Sequence, residues 1–205
     1  MLVEMVTNKL YGHFKFLGKE KNKTQIVLGH THRDINSYIK SLETRYNGKY
    51  DKIPNFIITK DAEIIQLLPE TAYTNFFHIE KTNKKSVFIV LENLGWLEKK
   101  PLSSEYINWN GSIYKGQVYE KKWRDFFFWD PYSQIQMEKT AKLCSELLES
   151  LKINKGCVGH NTKIEGISMY EGITSKSNYD QKFTDLNPSF NFEILAKNIE
   201  NEQFA

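Results

Sequence analysis

Residues 86–93, SVFIVLEN, constrain this chain more than any other segment. From Val87 to Leu91 every side chain is apolar, with no alternation, so both faces of the strand it predicts must be covered. A strand of that kind lies inside a sheet with a layer on each side, which points to an α/β fold.

The neighbouring segments extend that sheet. TQIVL (24–28) predicts a buried strand ending at Gly29. Asp34 reads as an N-cap, and Ile35, Tyr38, Ile39 and Leu42 recur at helical spacing until Asn47-Gly48. In PNFIITKDAEIIQLLPE (54–70), two β-rich runs flank Lys60-Asp61-Ala62, which predicts a hairpin. Ser133-Gln134-Ile135-Gln136 predicts a capping box with Gln136 reaching back to the cap. A helical stripe of Met137, Ala141, Cys144, Leu148 and Leu151 follows. Residues 153–159 predict a short strand, 161–183 a loop and 191–200 a closing helix.

Residues 98–131 break the pattern with Trp109, Tyr114, Tyr119, Trp123, Phe126, Phe127, Phe128 and Trp129. They predict an aromatic-rich insertion without regular elements. Its cluster at 123–129 reads as the packed core of a lid, or as a platform for sugar rings. The expected fold is a mixed central β-sheet flanked by helices, in a single domain over 1–205 with its core at about 24–195.

Net charge is only +3, with both signs mixed along the chain, so charge gives no argument for a nucleic-acid partner. The N-terminal run MLVEMVTNKLYGHF carries Glu4 and no small-residue cleavage site, so no signal peptide is expected, and synthesis in the cytoplasm follows. No stretch has the length of a membrane span. Cys144 and Cys157 form no CxxC pair and read as buried reduced thiols.

Histidines after strands bring in metal chemistry. Zinc hydrolysis of an amide needs three protein ligands and an open position for water. His30 and His160 each follow a predicted strand, and Asp185 lies further along, which makes a candidate His/His/Asp set.

Six segments in order resemble the zinc-dependent N-acetylmuramoyl-L-alanine amidases, which share their fold with peptidoglycan-recognition proteins. They are IVLGHT (26–31), PNFIITKDAEIIQLLPE (54–70), SVFIVLEN (86–93), YSQIQ (132–136), CVGH (157–160) and FTDLNPSF (183–190). The insertion resembles one in amidases of phage origin. The resemblance implies one zinc ion on His160 and Asp185, with His30 next to the usual first-ligand position, which here is Gly29; His32 is a second candidate. It also implies bacterial peptidoglycan or muropeptides as partners, with phage virion components as a further possibility, and a phage lysin acting at the host wall.

Other positions depart from the family pattern. Val90 stands where a general base is expected, Phe183 where a lysine is expected, and Pro54 and Asn55 where a tyrosine and a histidine are expected. Catalysis would then draw on Glu92, His78, Lys182 or Lys176. Two functions follow: a zinc amidase cleaving between the muramoyl lactyl group and L-alanine, or an amidase fold without chemistry that binds peptidoglycan or serves in a phage particle.

Overall fold

The computed structural model describes residues 8–9 and 14–201. The apolar N-terminal run read for a signal peptide lies largely outside them. The elements are β1 (Asn8–Lys9), β2 (Gly18–Lys19), β3 (Gln25–His30), α1 (Ile35–Thr44), β4 (Phe56–Ile58), β5 (Ile64–Gln66), β6 (Ala72–Tyr73), α2 (Glu80–Lys85) and β7 (Ser86–Leu91). They continue with β8 (Trp96–Lys99), β9 (Tyr106–Asn108), β10 (Ile113–Tyr114), β11 (Tyr119–Trp123), β12 (Phe126–Trp129), α3 (Gln134–Ser150), β13 (Gly172–Ser175) and α4 (Phe192–Asn201).

The central sheet is mixed, in the order β1-β5-β4-β7-β3-β13. β7 runs parallel to both β3 and β4, so its unbroken apolar run is paired on both edges. Alternation then divides it between two layers. Val87, Ile89 and Leu91 pack with Met137, Ala141, Cys144 and Leu148 of α3 and Leu195 of α4. Val90 faces the other way, with Ile57 and with Leu42 of α1. Each such aliphatic side chain contributes about 1.5–3 kcal/mol on burial. Asp34 caps α1 by accepting the Ser37 N–H at 2.9 Å.

Three local expectations are corrected. Residues 153–159 form no strand; only Cys157 bridges to Ile173. The edge strand is β13, inside the expected loop, parallel to β3. At α3, Ser133 does cap the Gln136 N–H, but the Gln136 amide does not reach back. It donates instead to the carbonyls of Ile58 and Glu92 and ties α3 to the ends of β4 and β7.

A fourth correction concerns the insertion, which is a regular antiparallel sheet in the order β10-β9-β8-β12-β11. Its aromatics pack on one another: Trp96 stacks on Phe126 at 4.6 Å, and Trp129 is fully buried. Asp130 fastens this sheet to the core. Its buried carboxylate accepts from Lys60 Nζ, the Tyr114 hydroxyl and the Leu94 N–H, each at 2.7 Å.

Candidate metal centre and cleft

Strands β3, β4 and β7 run parallel, and their C-terminal ends open on one side of the sheet. His30 is the last residue of β3 and is 3% exposed. His32 follows with a left-handed backbone, φ 54°, a strain of about 1–2 kcal/mol for a residue other than glycine. That conformation turns its ring back onto His30. The two Nε2 atoms lie 2.9 Å apart, and the rings meet edge-on at 3.9 Å. Asp185, fully buried ahead of α4, accepts the His30 N–H on Oδ1 at 2.9 Å. Lys176 Nζ lies 3.2 Å from the same oxygen. Ligand atoms of His30, His32 and Asp185 all fall within 4.8 Å of one another.

Burial, and then the neighbouring His32, push the His30 pKa well below the usual imidazole value. Burial likewise lowers that of His32, to about 4. Both rings are thus neutral near pH 7, the form that binds metals. For Asp185, burial works to raise the pKa, but the Lys176 ammonium and the His30 N–H hold it well below the ordinary carboxylate range.

Two imidazole nitrogens and a carboxylate form a donor set that suits zinc. The structure offers a specific test of fit. Asp185 Oδ2 is buried and finds no hydrogen-bond partner among the described residues, and such a group is costly unless something binds it. The two facing Nε2 atoms have the same need, since one must otherwise donate to the other. The Tyr132 hydroxyl lies 3.0 Å from His30 Nδ1, the outer contact that fixes the ring of a ligating histidine. The residues fit a metal on His30 Nε2, His32 Nε2 and Asp185 Oδ2.

A cleft of about 340 Å³ opens in front of this group. Its wall includes His78, Phe76, Phe183 and Trp109, with the cations Arg33, Arg45, Lys52 and Lys176 and, among the described residues, no acidic side chain. The site therefore favours an anionic or carboxylate-bearing ligand.

Residues 20–177 match the family model of the N-acetylmuramoyl-L-alanine amidases. The chain belongs to that family. The amidase match ends before Asp185, whose place in the candidate centre rests on the geometry together with the resemblance of FTDLNPSF. Among solved structures, the chain is similar to the endolysin N-acetylmuramoyl-L-alanine amidase LysCS from Clostridium intestinale URNW. The TM-score is 0.54 and the identity 16%, with 94% of this chain and 95% of that one covered. It is also similar to the Staphylococcus aureus hydrolase AmiA, with TM-score 0.53, 12% identity, and 96% and 82% covered. These identities show a shared amidase fold. No curated protein sequence matches the chain.

Against the amidase pattern, the structure brings His30 and Asp185 together but joins them with His32 instead of His160. His160 is exposed, and its Nδ1 accepts the Thr162 N–H at 3.2 Å. Gly159, at φ 72°, turns the chain where a strand end would have aimed the ring. Gly29 leaves no room for a ligand: an added Cβ would lie 2.8 Å from both Asp185 Oδ1 and Lys176 Cδ. The stem of Lys176 fills the space that a side chain at position 29 would need.

Glu92 is not aimed at the centre. Its carboxylate oxygens accept the N–H groups of Ile35 and Lys60. Lys182 is exposed and lines a separate hollow with Arg124 and Thr184. His78 is exposed, stacks on Phe77 and lines the cleft. Lys176 is the lysine beside the centre. Asn55, in place of the family's histidine, is structural: its side chain bonds Pro69 and Ala72 carbonyls and the Phe88 N–H. Sequence reasoning missed Tyr132 and Trp109. For Tyr132 the signals were its place just before the α3 cap and its position at the head of the YSQIQ segment.

Proposed function

We propose that the chain is a zinc-dependent peptidoglycan amidase that hydrolyses the bond between the muramoyl lactyl group and L-alanine. The observation that carries this reading is the group His30–His32–Asp185, in which both histidines line a cationic cleft and Asp185 lies buried behind them, in a chain of the amidase family. Zinc bound there would lower the pKa of a bound water to about 7 and polarise the scissile carbonyl.

The chain's own residues supply the rest. Tyr132 orients His30 through Nδ1. Lys176, 15% exposed in its side chain, places an ammonium next to the reacting region, where it can oppose charge developing on the carbonyl oxygen. His78 is an exposed imidazole on the rim of the cleft, where it can contact the substrate. The cations of the wall suit the carboxylates of a stem peptide, and Phe183 and Trp109 offer apolar faces for its backbone. We place the substrate as wall peptidoglycan or soluble muropeptides, the whole chain as one amidase unit, and its setting as a phage-type lysin.

A second reading has specific support. Val90 is 1% exposed in the core and Phe183 is apolar, so two of the family's polar positions cannot move a proton. A binding module with the amidase fold would tolerate both changes. Release of peptide from purified sacculi separates the readings. The amidase reading expects release by the wild type and none by His32→Ala. Equal release by both rules out this centre, and a zinc-loaded wild type that releases nothing favours the binding module.

A further inference from the structure

The inserted sheet reaches the centre at several points. Trp109, in the turn after β9, donates its indole Nε1–H to the carbonyl of His32 at 2.6 Å. The Arg33 guanidinium stacks over the same indole at 4.7 Å, so both residues of the His32–Arg33 step are held by one side chain. Gly95, which leads into β8 at φ 80°, makes room for the rings: a Cβ there would lie 3.0 Å from His32 Nδ1 and 3.4 Å from His30 Cε1. On the other ligand loop, Arg124 in the β11–β12 turn donates to the carbonyls of Gln181 and Phe183. The Asp130 carbonyl accepts from the Asn187 side chain at 2.9 Å. The insertion thus grips the chain on each side of Asp185 as well as at His32.

We propose that the inserted sheet is the scaffold of the metal centre, and that Trp109 is the positioning residue that makes His32 a ligand. This rests on the metal reading above. The physical need is plain. Gly29 and Lys176 have removed the strand-end ligand position. The replacement, His32, lies past the end of β3, in a strained conformation between two anchored neighbours. The Thr31 N–H donates to the Leu91 carbonyl and Arg33 bridges to Asn93, while, among the described residues, the backbone between them has only the indole on the His32 carbonyl. An indole N–H on its carbonyl holds the peptide whose rotation would swing the ring away from His30. Trp109 stays 39% exposed, as expected of a residue kept for its donor and its place on the cleft wall rather than for core packing.

The test uses the full chain, with zinc affinity measured by competition against a chromophoric chelator and geometry read from the visible bands of the cobalt-substituted protein. Trp109→Phe keeps a ring under Arg33 and removes the donor. Phe127→Ala alters an exposed aromatic of the same sheet and serves as control. The expected result is about a 10- to 100-fold loss of zinc affinity in W109F, with changed cobalt bands, and neither change in F127A. In the metal-free protein, W109F should also move the imidazole nitrogen resonances of His32 and leave those of His78 in place. Wild-type affinity and bands in W109F overturn the proposal while leaving the metal reading intact. Equal loss in W109F and F127A overturns it as a general effect of the sheet. A wild type that binds no zinc overturns the metal reading, and this one with it.

Discussion

His30 and His32 face each other through their Nε2 atoms at 2.9 Å, and the positive φ of His32 brings this about. Two neutral imidazoles two residues apart do not meet this way along a strand. The metal proposed between them and Asp185 would give the strain a purpose.

Lys176 is the first place where this can be probed apart from activity. Its ammonium is the charge partner of the buried Asp185. Lys176→Met should lower stability by about 3 kcal/mol in chelator, because it leaves a buried carboxylate unpaired. Saturating zinc should restore more stability to the variant than to the wild type, since metal binding to the folded state adds stability by mass action. Urea midpoints with and without zinc check this. Equal midpoints under chelation would contradict it.

Gly29→Ala should cost about 1–3 kcal/mol, because its Cβ meets Asp185 and Lys176 at 2.8 Å. Thermal melts read the cost. By the same geometry, Gly29→His should not raise zinc affinity, although it writes the family's histidine back into the strand. A tighter site in G29H would show that Lys176 gives way.

Glu92→Ala should act on stability rather than chemistry. Losing the acceptor for the Ile35 and Lys60 N–H groups should cost about 2–4 kcal/mol. Zinc stoichiometry should stay at the wild-type value. A stable E92A protein that binds zinc and has lost all peptide release would instead make Glu92 part of the machinery.

Asp130→Ala should loosen the inserted sheet. The Leu94 N–H and the Tyr114 hydroxyl lose their acceptor, at a cost of about 1–3 kcal/mol, while the half-exposed Lys60 ammonium turns to water. Hydrogen exchange should then accelerate across residues 96–129 ahead of β3 and β7. Uniform protection in D130A would contradict its role as the fastening point.

Much of the fold was legible because it rests on local patterns. The unbroken run at 87–91, the Asp34 cap and the hairpin around Lys60-Asp61-Ala62 need only short-range rules. β13 was hidden because Gly-Ile-Thr-Ser has one apolar residue, and its strand character comes from pairing with β3, far away in sequence. Val158 beside Cys157 looked like a strand, but Gly159 turns the chain there. The insertion was opaque because its strands hold two to five residues and FFFW does not alternate. At the centre, His30 and Asp185 were readable as candidates from strand ends and family order. The preference for His32 over His160 was not, because it depends on a left-handed backbone and on an indole 77 residues away.

The central claim is that His32, with His30 and Asp185, holds a zinc ion. Metal analysis of the wild type, His32→Ala and His160→Ala, purified without chelator, tests it most directly. We expect about one equivalent in the wild type and in H160A, and less than about a tenth in H32A. Full zinc in H32A with loss in H160A, or none in the wild type, would contradict it.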